Sequence, residues 1–453
     1  MGGHALPSAG APPQGTSSGL TNFVSSCTVS ATKVYFIYIY VLYFIFVGRK
    51  EDQEKMNDCF LVLEDGECFG GISFGCRAPK AGELGFPPAG GAGAGEVVFN
   101  TAMGGYHEML TDPSYAGQIV ALTCPHGGNY GCSDDWSERG PDEPGLPEIK
   151  LSGLVVRSLY SGPVPKGRIP LSEFLRRNGV PGIEGVDTRA LTLRLRDRGS
   201  CTGLLVSSSS GSALSASEMD RALAFLKAVP SMEGRNLLPS VGTRSLKCRD
   251  VPGNCRFAVV DCGIKGNILR ELSLRGVSST VFPWTATAEE ILRSSPDGVL
   301  FSNGPGDPAV LSSLAEVIRE LLGRLPVFGI CLGHQLIAHA LGGTTQKMKF
   351  GHHGCNHPVR DERTGQVQVT SQNHGFEVDG SSLPPGVNVW FRNANDGTVE
   401  GLYHECLPVL SCQFHPEGAP GPRDSLWVFD EFVKAAAAFS AEKEMIPCRH
   451  AGI

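Results

Sequence analysis
The sequence predicts an α/β protein: a carboxyl-terminal open, mainly parallel sheet flanked by helices, preceded by a β-rich α+β amino-terminal domain. Three observations point there. From residue 256 onward, short apolar runs alternate with helical patterns, the signature of parallel strands joined by crossover helices. From 57 to about 200 the text is short alternating strands with turn cues. Finally, the apolar run Pro326-Val327-Phe328-Gly329-Ile330 passes through Cys331 straight into a helical segment, 332–341.

Taken in order, residues 1–55 form an extension, 56–200 an amino-terminal domain, 201–255 a connecting region, 256–440 the α/β domain and 441–453 a tail. Asp65-Gly66 after a strand is a hairpin cue. Residues 127–149 are rich in Gly, Pro and acids and read as a surface loop, and a helix is expected near 217–228. The second half reads strand 257–261, helix 267–275, strand 279–283, helix 288–294, strand 298–302, helix 310–322, strand 326–331 and helix 332–341. Ligands of such sheets bind beyond the carboxyl ends of the strands. Ser302–Asp307 and Cys331 fall there.

A strand turning sharply into a helix with a nucleophile at the corner is an elbow, which exposes the side chain beside the helix's positive end. Gly329 and Gly333 flank that corner, where bulk is expected to block substrate or strain the turn. A cysteine ending an apolar strand is also an ordinary small hydrophobe. A partner base tips the balance. The distant run Pro408–Phe414 ends in His415-Pro416-Glu417, where the carboxylate can orient an imidazole that takes the thiol proton.

With these residues the chain resembles the class I (triad) glutamine amidotransferases and, within them, the small, glutamine-hydrolysing subunit family of carbamoyl-phosphate synthases. The resemblance covers roughly residues 57–438. It rests on Ser302–Pro308, the elbow, Lys347–Gly354, Gln372–Phe376 and His415–Glu417. Gly95–Thr101 and Leu110–Val120 carry it in the amino-terminal half. It implies that Cys331 attacks the side-chain amide of L-glutamine, that His415 shuttles the proton, and that Glu417 fixes the imidazole. The backbone amides of Leu332 and Gly304 are the expected oxyanion donors, with Gly306 leaving the loop bare. Ser114, Gln335, Asn373, Gly375 and Phe376 are implied substrate contacts. His352, His353 and His374 are assigned to support or interface, and His334 is a poorer base than His415. No metal is expected.

The resemblance also implies a separate large synthetase subunit that uses ATP and Mg with bicarbonate, for pyrimidine or arginine biosynthesis. No Gly-x-x-x-x-Gly-Lys loop occurs, so this chain is expected to hold no cofactor. Departures from the family pattern are Cys262, Cys355, Gly418 and Arg423. Two alternatives stand: a glutaminase component of another synthase, or a non-catalytic tethered scaffold.

Net charge is −7, from 39 basic and 46 acidic residues, which predicts no nucleic-acid or anionic-membrane partner. Fifteen cysteines without a Cys-x-x-Cys pair fit a reducing, cytoplasmic setting. The segment 34–47 is fourteen apolar or aromatic residues, short of the roughly 20 a membrane span needs. It reads as an anchor or signal, as part of a plastid or other organellar presequence, or, most simply, as a dispensable extension ending near Met56.

Overall fold
The computed structural model describes residues 57–85, 93–141 and 148–445, all within one unit that spans Met56–Ile453. The aromatic segment 34–47 and the extension readings lie outside the described residues.

Seven strands close a barrel in the order Cys59–Leu63, Cys68–Gly75, Pro181–Glu184, Gly153–Val155, Gln118–Leu122, Ala94–Asn100 and Cys201–Ser207. The Asp65-Gly66 hairpin forms as expected, with Cys59–Leu63 antiparallel to Cys68–Gly75 and Gly66 at φ 89°. The closing strand, Cys201–Ser207, lies beyond residue 200 and pairs with both Cys59–Leu63 and Ala94–Asn100. The amino-terminal domain therefore extends to Ser207, because closure leaves no unpaired edge between those strands.

The second half is one ten-stranded sheet. Its core is parallel: Val277–Pro283, Cys255–Asp261, Gly298–Phe301, Val327–Ile330 and Val409–Cys412 lie side by side. Strand alternation sends Ala258, Val260, Val299, Phe301 and Val327 to one face and Phe257, Val259, Leu300, Phe328 and Ile330 to the other. Helices Ala288–Arg293, Ser312–Leu321 and Leu332–Leu341 cover the first face. Helices Gly266–Leu274 and Trp427–Met445 cover the second, and the latter carries the domain past residue 440. An antiparallel extension follows: Val399–His404, Val367–Val378, Thr345–Asp361 and Val387–Asn393. The sequence marked motifs here but no strands.

One expectation needs correcting. The 127–149 stretch is not simply a surface loop. Ser137 and Glu138 are buried. The Glu138 carboxylate accepts from the amide of Asn267 (3.0 Å) and from Arg270 Nη1 (2.7 Å). A carboxylate at a helix N-terminus meets unpaired amides and the positive end of the dipole, so this acid is drawn inward to cap Gly266–Leu274.

Gly329 does what was expected, since a Cβ there would lie 2.6 Å from the Gly333 backbone across the turn, whereas Gly333 has a different job. Neither Gly329 nor Gly333 has positive φ; the left-handed residue is Cys331 itself, at φ 54°. A Cβ on Gly333 would lie 2.0 Å from the Phe301 carbonyl oxygen. The missing side chain lets the helix press directly onto the neighbouring strand. Gly333→Ala is expected to lower stability by about 2–3 kcal/mol in urea denaturation, or to prevent soluble accumulation. Gly85→Ala, which meets nothing within 4 Å, is the control and stays within about 0.5 kcal/mol.

Candidate active site
Parallel pairing decides what meets at the sheet's carboxyl edge. Gly329 pairs with Ser411 and Ile330 with Cys412. The next residues along, Cys331 and Gln413, are thus neighbours, and His415 follows two positions later. The Cys331 amide donates to the Cys412 carbonyl (2.8 Å), and Gln335 N donates to the Cys331 carbonyl (3.2 Å). These bonds hold the cysteine backbone in its unfavourable conformation, which costs about 1–3 kcal/mol. The Gln413 amide nitrogen lies 3.6 Å from Cys331 Sγ, and the Asn373 carbonyl lies 3.6 Å from it on another side.

His415 is fully buried beside Glu417. Its Nδ1–H donates to Glu417 Oε1 at 2.7 Å. The opposite nitrogen, Nε2, is buried and has no partner other than the Cys331 side chain beside it. Burial by itself lowers the imidazole's pKa, but Glu417 and the neighbouring Cys331 side chain hold it up at about 10. Glu417 shows the converse. Burial raises it, while Lys265 and His415 draw it down to about 2.

Lys265 carried no signal in the sequence, yet it completes the set. Its Nζ is buried 3.1 Å from Glu417 Oε1 and donates to the carbonyls of Gly418 (2.6 Å) and Ala419 (3.2 Å). Burial would lower its pKa, but Glu417, Asp112 and Glu138 together keep it above its ordinary value. A buried carboxylate with only one partner would tend to protonate.

A cleft opens over Cys331. Seven of the eight expected substrate residues line it: Ser114, Gly304, Gly306, Gln335, Asn373, Gly375 and Phe376. The eighth, Leu332, opens the helix, where a first-turn amide has no intrahelical acceptor. Gly304 must be glycine, since a Cβ there would lie 2.0 Å from the Cys262 carbonyl oxygen. Both Gln335 amide donors are engaged, on the Phe376 carbonyl and Gln413 Oε1 (2.9 Å each), so its carbonyl remains for a ligand. The Asn373 side chain donates to Asp112 Oδ2 and accepts from His353 Nδ1 at 2.9 Å each.

Asp112 and Asn303 also escaped sequence reading. Asp112 Oδ1 accepts from the Ser114 amide and Asn303 Nδ2 donates to Ser114 Oγ, each at 2.9 Å. Together with the Asn373 bond, they tie the amino-terminal turn to the loop after Gly298–Phe301 and to the strand Val367–Val378 of the other half. The Asp112-Pro113-Ser114 turn was the available signal.

His334 is buried against Ser411 Oγ (2.9 Å) and burial lowers it to about 3, which disqualifies it as a base. His352, His374 and Glu400 bring ligand atoms within 4.8 Å of one another. These groups already have partners: His352 Nε2 meets Asp396 (2.8 Å), and His374 Nδ1 donates to the Phe376 carbonyl (2.8 Å). Their placement supports the strand that lines the cleft.

A family model described as glutamine amidotransferase class-I matches residues 258–435. A second, described as carbamoyl-phosphate synthase small chain, CPSase domain, matches residues 61–205. The carbamoyl phosphate synthase small chain of Methanopyrus kandleri is 45% identical over 375 residues, covering 82% of this chain and 97% of that one. Its counterpart in Akkermansia muciniphila is 43% identical over 389 residues (83% and 97%), and that of Methanocaldococcus jannaschii 43% over 378 (83% and 98%).

The Lys265–Glu417 contact has a pH signature. Glu417 is held below its ordinary 4.5, so its contribution is present above that value and is lost only as pH falls toward about 2. In Lys265→Met, burial is no longer opposed by the ammonium. The acid limb of both thermal stability and kcat/KM for ammonia release is expected to move up by about one pH unit or more. An unmoved limb would contradict the assignment.

Proposed function
Because this chain belongs to the family of glutamine-hydrolysing carbamoyl phosphate synthase small chains, we propose that Cys331, His415 and Glu417 are its hydrolytic triad and that it feeds ammonia to a large synthetase subunit. The observation that carries the reading is the convergence itself. A cysteine at a strand–helix corner is followed on the adjacent parallel strand by a buried imidazole that a carboxylate orients at 2.7 Å.

Glutamine enters with its side-chain amide over Cys331. The thiolate forms a bond to the amide carbon, and the negative charge moves onto the oxygen, toward the amides of Leu332 and Gly304. The His415 imidazolium gives its proton to the departing nitrogen as the carbon–nitrogen bond breaks, leaving a γ-glutamyl thioester and ammonia. Water then attacks the thioester, His415 takes its proton, and glutamate leaves as the thiolate is restored. Glu417 keeps Nδ1 protonated, so Nε2 is the nitrogen that works.

Ammonia in neutral water is mostly ammonium and does not attack. A second cavity lies beside His415, lined also by Asn100, Met103, Tyr115, Lys265 and Pro420. We propose that released ammonia leaves the glutamine cleft for the partner by this cavity, which shares Asn373 with that cleft. Bicarbonate, ATP and Mg are used on that partner, with carbamoyl phosphate supplying pyrimidine or arginine synthesis. A cytoplasmic setting fits this role, and among the described residues no helix is long and apolar enough to cross a membrane.

Cys331→Ala is expected to abolish glutamine-dependent carbamoyl phosphate synthesis by the complex while sparing synthesis from added ammonia. Glutamine use at the wild-type rate would defeat the triad. Failure to bind any large subunit would defeat the partner.

A further inference from the structure
The stretch 127–149 has no task in the hydrolytic reading, yet one of its residues crosses to the other half of the protein. Glu138 is only 1% exposed there. Its backbone carbonyl accepts from the Gly266 amide at 2.9 Å. Its two carboxylate oxygens accept from the Asn267 amide (3.0 Å) and Arg270 Nη1 (2.7 Å). Arg270 Nη2 also donates to the Ser137 carbonyl at 2.6 Å. The fit is close as well, since a Cβ on Gly266 would lie 2.9 Å from the Arg139 carbonyl oxygen. Together these contacts fasten the stretch to the first turn of helix Gly266–Leu274. That turn needs an outside partner, because Lys265 sits at its N-cap and makes no side-chain capping bond.

The same turn grips the triad acid by both side chain and backbone. Lys265 Nζ lies 3.1 Å from Glu417 Oε1 and bonds the Gly418 and Ala419 carbonyls. Asn267 Nδ2 donates to the Glu417 backbone carbonyl at 2.5 Å. Residues 417–419 therefore rest on the start of the helix, and the start of the helix rests on Glu138. The charges follow the geometry. Glu417, Asp112, Glu138, Glu108 and the Cys355 thiol face the Lys265 ammonium, and Lys265, His415 and the Cys412 thiol face Glu417.

Resting on the triad reading above, we propose that Glu138 is a positioning residue for glutamine hydrolysis: it sets the start of helix Gly266–Leu274 and, through Lys265 and Asn267, holds Glu417 behind His415. Glu138 is not among the residues that line the cleft over Cys331. It therefore acts on proton transfer by His415 and not on glutamine binding. The amino-terminal half reaches the triad itself by this route, as well as the substrate cleft.

The full chain is assayed for ammonia release from L-glutamine as a function of pH. Glu138→Gln keeps the volume, removes the charge and sets an amide against Asn267 and Arg270. It is expected to lower kcat about tenfold or more with KM within about threefold. The acid limb of kcat/KM is expected to move up, because a Glu417 whose ammonium partner has shifted protonates more readily. Asn267→Ala removes the bond to the Glu417 carbonyl and leaves the amide that Glu138 caps. It is expected to lower kcat about threefold or more at the same KM. An acid limb that moves down overturns the proposal, since the loss of one negative charge alone does that. So does an unmoved profile with only thermal stability reduced, which a purely structural role produces, and so does a raised KM with kcat kept. If Glu138→Gln fails to accumulate as folded protein, an unchanged kcat in Asn267→Ala overturns the proposal, and a lowered kcat at unchanged KM supports it. A wild-type chain that releases no ammonia overturns the triad reading and this one with it.

Discussion
The pairing of two short parallel strands, Val327–Ile330 and Val409–Cys412, is the constraint on which the site depends. Parallel neighbours advance in step about 4.8 Å apart, so chain ends that leave the sheet together stay together. One chain turns into a helix at Cys331, and the other runs on through Gln413 to His415. No loop has to find the sulfur. The register delivers the imidazole, and a slip of one residue would send it to the other face. Glu417 then has to remain ionised in the dark interior, and the Lys265 ammonium, bonded to three oxygens, makes that tolerable.

The barrel is part of this chemistry. Asp112 and Ser114 hang from it and bond Asn373 and Asn303 of the other half. The run Lys347–Gly354 is the seam: Lys347 meets Glu96, the Phe350 ring stacks on Phe99 at 5.8 Å, and the His353 carbonyl accepts from the Thr101 amide at 3.0 Å. The segments that set this family apart from other amidotransferases are thus the two sides of one junction. A carboxyl-terminal half cut free would lose Ser114 and Gln118 from the lining of the cleft over Cys331.

Much of this was legible because it is local. The elbow, the His415-Pro416-Glu417 ending and the alternation of strands and helices after 256 each occupy a few consecutive residues, and periodicity or residue type reveals them. What stayed hidden is what depends on distant pairing. Barrel closure by Cys201–Ser207 joins strands more than a hundred residues apart, and nothing within that strand announces its partners. The antiparallel strands between 345 and 404 were visible only as motifs, because buried polar positions such as His352, His353 and Asn373 interrupt their alternation. Lys265 has no motif of its own. A lysine after a strand reads as solvent-facing until the acid from 152 positions later (417 − 265) is seen beside it. Gly333 was read for the right position and the wrong reason, since close backbone approach leaves no trace in composition.

The central claim is that the acyl group passes through Cys331, and rapid acid quenching of the full chain during turnover of L-glutamine, followed by peptide mapping, tests it most directly. The account predicts a γ-glutamyl adduct on the peptide that carries Cys331 and on no other cysteine. Ammonia release at full rate with that sulfur unmodified, or an adduct on a different thiol, would contradict it.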